Sequence, residues 1–79
     1  MAKSFSVRVV RRDGQPRQGV RVAASFGWWD GTTEAYTDSD GWAVLEFVTN
    51  ATAEIYVYGK SQGRHSVSGG ETFSFTVDP

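Results

Sequence analysis

Apolar side chains return at every second position in run after run of this chain, and no stretch shows capped helical periodicity. Successive residues of an extended strand face opposite sides, so this spacing predicts half-buried strands. Phe5, Val7 and Val9 alternate with Ser6, Arg8 and Val10. Val20, Val22, Ala24 and Phe26 alternate with Arg21, Ala23, Ser25 and Gly27, and Ala53, Ile55 and Val57 with Glu54, Tyr56 and Tyr58. Phe73, Phe75 and Val77 close the series against Thr72, Ser74 and Thr76. Short strands separated by regular turn signals predict an all-β sandwich or barrel.

The segment Glu34 to Phe47, EAYTDSDGWAVLEF, organises the middle of the chain. It reads as a strand end with Tyr36 as a half-buried ring, an acidic turn closed by Gly41, and a strand returning through the core. That strand carries Ala43, Leu45 and Phe47 on one face and Trp42, Val44 and Glu46 on the other. With both faces largely apolar, it is expected to be central. Upstream, Asp13-Gly14 and Pro16 signal a turn, read as the reversal of a hairpin between two paired strands. Downstream, GKSQGRHSVSGGE is rich in Gly and Ser, which predicts loops around a short irregular strand near His65 to Ser68.

A chain of 79 residues makes one domain, residues 1–79, with a thin core. At this size roughly 60–65 % of the unfolded chain's surface is buried. There is no Cys, so neither a disulfide nor a thiolate metal site supplements that core. Aromatic residues make up 14 % of the chain and include three Trp, so large rings supply much of the burial. No window approaches the 18 or so apolar residues of a membrane-spanning helix, and membrane insertion is not expected. The start of the chain has one early Lys and no apolar core of a signal peptide. That leaves a cytoplasmic protein or a module excised from an exported one.

The net charge of −1 gives no argument for nucleic acid or acidic lipid as a partner. Its distribution is uneven. Arg8, Arg11, Arg12, Arg17 and Arg21 crowd the first quarter, whereas Val22 to Gly59 contains Asp30, Glu34, Asp38, Asp40, Glu46 and Glu54 and no Lys or Arg. Outward Arg paired across strands with outward Glu accounts for this, at about 0.2–1 kcal/mol a pair.

These strands and turns resemble the transthyretin-like (prealbumin-like) sandwich, and more narrowly the carboxypeptidase regulatory-like and bacterial Ig-like modules. The resemblance rests on VRVVRRDGQPRQGVRVAA, TDSDGWAVLEF and AEIYVYG, with Gly14, Pro16, Gly19, Val20, Val22, Thr37, Asp38, Gly41, Ala43, Ile55, Val57 and Gly59 at the matching positions. It covers most of the chain and implies a small antiparallel Ig-like or transthyretin-like sandwich of about seven short strands. It also implies a non-catalytic accessory, adhesive or structural role. The chain departs from the pattern at the aromatic GWWDG and in its shortness after Gly59.

Catalytic and metal chemistry finds little footing. A calcium loop ending at Gly41 would need an acid at Tyr36 and another at Phe47, so Asp38 and Asp40 are read as turn-capping residues. His65 is the single His, with Ser61, Ser66 and Ser68 near it but no third orienting group, and it is expected to be solvated. No carboxylate pair suits glycoside hydrolysis, and no deep cleft is expected. Phe5 shares a face with the core valines, which removes it from any base-stacking platform beside the arginines.

The adjacent Trp28 and Trp29 stand out. If the segment is extended, one of the two rings must leave the core. An exposed ring beside Asp30 can anchor a protein or stack on a sugar, with Tyr36 extending the surface and Thr32 and Thr33 serving sugar hydroxyls. The candidate binding residues are therefore Trp28, Trp29, Asp30 and Tyr36, with no catalytic, metal or cofactor residues. A protein partner or self-association, within a larger surface or secretion assembly, is favoured over carbohydrate and over a plain spacer. The last strand, ETFSFTV, has no Lys or Pro to block pairing and is expected to add to another sheet if its edge is open.

Overall fold

A computed structural model of the chain describes residues 3–27 and 31–77. The chain is all-β, with strands β1 (Lys3–Arg11), β2 (Arg21–Ser25), β3 (Thr32–Tyr36), β4 (Trp42–Phe47), β5 (Ala51–Val57), β6 (Lys60–Val67) and β7 (Thr72–Val77). They form a three-stranded sheet of order β4-β1-β7 and a four-stranded sheet of order β3-β2-β5-β6. Pairing is antiparallel everywhere except between β1 and β7, which run parallel. The expected all-antiparallel pairing is corrected there, because β7 re-enters the first sheet beside β1 and in its direction.

The period of two does the work the sequence predicts. Phe5, Val7 and Val9 of β1, Ala43, Leu45 and Phe47 of β4, Val22 and Ala24 of β2, and Ala53, Ile55 and Val57 of β5 are buried in one cluster between the sheets. Phe5 contacts Phe47 and Phe73 with ring centroids 5.8 Å apart, and Phe26 stacks on Phe47 at 5.9 Å. Among the described residues the fully buried core is aliphatic apart from Phe5 and Phe47, so rings supply less of the burial than composition suggests, and Phe26, Phe73 and Phe75 pack against its margin.

The link from β1 to β2 corrects the expected hairpin. Asp13-Gly14 does reverse the chain, with the Gly14 N–H donating to the Arg11 carbonyl and the Arg11 N–H to the Gln15 carbonyl. After a single bridge between Val10 and Pro16 the chain crosses to the other sheet, so β1 and β2 never pair. Pro16 has no N–H with which to continue a ladder, which favours leaving it.

The crossing is held by the acidic turn. Thr37 is buried, its hydroxyl donating to the Arg17 carbonyl at 2.6 Å and accepting from the Val20 N–H at 2.9 Å. Asp38 Oδ1 accepts from the Asp40 and Trp42 N–H groups, the capping role expected of it. Gly41 lies at φ +82°, and a Cβ there would sit 2.6 Å from the Val9 carbonyl oxygen and 3.1 Å from Pro16 Cβ. The turn therefore packs backbone against backbone on β1 and the Pro16 loop.

Two strand expectations are also corrected. β4 is an edge strand, not a central one, with Val44 exposed on a face that no other element covers. The apolar look of that face reflects Trp42, which lies beneath the Arg8 guanidinium at 5.9 Å from the ring centroid. The Gly/Ser-rich stretch forms the eight-residue β6, joined to β5 by a two-residue turn at Tyr58-Gly59. Both turn residues have positive φ, 56° and 76°, the conformation whose twist suits tight hairpins. Tyr58 consequently leaves the strand, and its hydroxyl accepts from Arg17 Nε at 3.1 Å.

Candidate functional site

Trp28, Trp29 and Asp30 lie outside the described residues. The residues on either side of them are joined: the Phe26 N–H donates to the Gly31 carbonyl and the Gly31 N–H to the Gly27 carbonyl. Beside this junction an open cleft of about 410 Å³ runs between the ends of β3 and β4. Phe26 and Phe47 form its apolar floor, and Thr32, Thr33, Glu46 and Thr49 supply hydroxyls and a carboxylate. Thr32 and Thr33 thus border a concave surface, as a sugar site would need. The absence of a deep cleft expected from chain size is qualified by this open one.

Tyr36 belongs elsewhere. It ends β3, pairs with Arg21 on β2 and is 61 % exposed, so the expected half-buried ring is corrected. At about 3.3 Å of rise per residue it stands roughly 13 Å along the strand from Thr32. Its neighbours on that outer face are Arg21 and Glu34, joined at 2.5 Å. This is the expected Arg–Glu pairing. The arginines do not form one patch, because β1 and β2, which carry Arg8 and Arg21 among their outward residues, lie in different sheets.

The third surface is the side of the molecule where β6 and β7 are the outer strands. β3 and β4, the outer strands of the opposite side, approach each other without pairing. On β7, Phe73, Phe75 and Val77 point inward but stay only half-buried, while Thr72, Ser74 and Thr76 are exposed. His65 of β6 reaches across between the sheets, its ring 5.0 Å from Phe73 and 5.7 Å from Phe75. Its Nε2 lies 3.0 Å from the Gln62 carbonyl. His65 is therefore half-buried against aromatic rings, which corrects the solvated loop histidine expected from its Gly/Ser-rich setting.

Carboxylates brace this side. Glu71, just before β7, accepts from the Ser68 hydroxyl at 2.7 Å and from the Ser68 and Gly69 N–H groups at 2.8 Å. The Ser68 hydroxyl first, then these N–H groups, lower its pKa from 4.5 to about 2. On the outer face Glu54 accepts from the Ser61 hydroxyl at 2.6 Å, which lowers its pKa, and its bond with Tyr56 raises that of the phenol. Ser61, near His65 in sequence, is thus engaged with Glu54 on the outer face, whereas the His65 ring turns inward. No hydrogen bond between them is seen among the described residues.

The bulge in β6 had a readable signal. Pairing shifts by one residue between Glu54 and Tyr56, where Gly63 sits at φ +88°. A lone Gly inside an extended run marks such a bulge. No protein-family model matches the chain, and no curated protein matches it significantly.

Proposed function

We propose that this chain is a non-catalytic binding module that engages a protein partner, built on a transthyretin-like sandwich of the carboxypeptidase regulatory-like kind. The observation that carries the reading is the β7 edge, an uncharged strand with half-buried Phe73 and Phe75 and no pairing on its outer side among the described residues. Proteins blunt such edges with Lys, Pro or bulges, and β7 has none of these. The family resemblance is supported by the way its motif residues cooperate: Pro16 packs near Gly41, and Thr37 ties the Pro16 loop to the turn.

The test is a pull-down from the source organism with wild-type bait and a Thr72→Lys/Thr76→Lys bait of verified fold. A protein retained by the first and lost by the second is expected. A wild-type bait that retains nothing beyond the empty-matrix control contradicts the reading.

Carbohydrate binding is the second reading, favoured by the cleft that groups hydroxyls and Glu46 with Phe26 and Phe47, close in sequence to Trp28 and Trp29. It predicts saturable binding on a panel of oligosaccharides, lost in a Trp28→Ala/Trp29→Ala variant. Equal signals from variant and wild type would remove it.

A further inference from the structure

We propose that β7 accepts one extended segment of a partner protein as a fourth strand of the three-stranded sheet. This rests on the protein-binding reading above and says how the partner is held. The first argument is position. The sheets have three and four strands and approach each other through β3 and β4 at one side. The shortfall of one strand therefore falls at the other side, next to β7 and above β6. His65 of β6 already reaches from below to Phe73 and Phe75 at that place.

The backbone is set for the addition. The Ser6 N–H donates to the Glu71 carbonyl, and the parallel register pairs Ser6 with Thr72 and Arg8 with Ser74. Because backbone groups alternate in direction along a strand, Phe73 and Phe75 turn theirs toward β1. Thr72, Ser74 and Thr76 turn their N–H and C=O groups to the open edge. Of the two outer strands on this side, β6 is broken by the Gly63 bulge and carries Lys60 and Arg64. β7 alone of the pair keeps an unbroken register with its neighbour and has no charged residue from Thr72 to Val77.

The edge also specifies its occupant. An added strand must alternate, with apolar side chains inward beside Phe73 and Phe75 and small polar ones outward beside Thr72, Ser74 and Thr76. A whole second copy fits poorly, because pairing β7 with its twin would drive two β6 strands into the same space. Thr-Phe-Ser-Phe-Thr reads alike in both directions. An antiparallel strand of the same sequence would set Thr against Thr, Ser against Ser and Phe against Phe, so β7's own sequence makes a suitable probe.

The experiment titrates the labelled chain with a blocked synthetic peptide of the sequence Glu71–Val77 and follows amide exchange and affinity. Saturable binding is expected, with slowed exchange at Thr72, Ser74 and Thr76 and little change at Phe73 and Phe75. Ser74→Pro removes an N–H that β1 does not use, so the variant is expected to fold and to bind at least about ten-fold more weakly. Thr76→Lys, at an exposed position, supplies the same comparison without touching the backbone. No binding by the wild type, or equal binding by both variants, overturns the inference. A concentration-dependent dimer that protects the same amides without peptide assigns the edge to a second copy and also overturns it. If the peptide fails while the pull-down still yields a partner retained by both baits, this inference falls and protein binding stands.

Discussion

At Gly41 the chain has room for a hydrogen atom and nothing larger. The turn there lies against the Val9 carbonyl and Pro16, and the Val9 N–H donates to the Gly41 carbonyl at 2.8 Å. Gly41→Ala combines a positive φ, costing about 1–2 kcal/mol, with a backbone overlap that costs about 1–3 kcal/mol to relieve. The expected loss in chemical denaturation is about 2–5 kcal/mol. A 79-residue domain has a total of about 4–12 kcal/mol, so the loss is a large share of it. A loss under about 1 kcal/mol would mean that the turn is looser than described. Thr37 and Gly41 were both legible as turn residues in the sequence. That they meet the Pro16 loop was not, because the contact depends on the chain crossing between sheets after Pro16. Alternation and turn chemistry are local, and they leave that choice open.

Strands were legible wherever apolar residues recur at period two, and least so where polar residues replace them. β4 was read as central because Trp42 and Val44 share a face, yet that face is outside, with Trp42 beneath the Arg8 guanidinium. The correction has a direct consequence. Val44→Thr should change stability by under about 0.5 kcal/mol, as exposed substitutions do. Leu45→Ala, one residue away at 1 % exposure, should cost about 2–5 kcal/mol. Comparable losses at the two positions would restore a covered, central β4. β6 was read only as a short irregular strand near His65 to Ser68, for the opposite reason. Its only buried residue is Val67, and its pairing is carried by backbone bonds to β5 and by the Tyr58-Gly59 turn. A Tyr at positive φ is not a recognisable turn signal, and neither Gln62 nor His65 announces an inward face.

At the scale of the molecule, the unequal sheets matter most. Sequence reading counted about seven strands and noted that the last lacked edge protection, but strand order decides which edges stay open. β3 and β4 approach each other at one side, and at the other β7 and the bulged, charged β6 are the outer strands. Of the candidate residues read from the sequence, Tyr36 stands at the far end of β3 from Gly31, while Trp28, Trp29 and Asp30 lie outside the described residues. Aromatic composition pointed to the Trp pair, whereas the open backbone edge has no compositional mark beyond missing charge. Among the described residues β7 is paired on one side only. Amide exchange on the dilute, unliganded protein tests it most directly. Phe73, Phe75 and Val77 should be protected by β1, while Thr72, Ser74 and Thr76 should exchange freely. Uniform protection along Thr72–Val77 would show the edge covered and contradict the account.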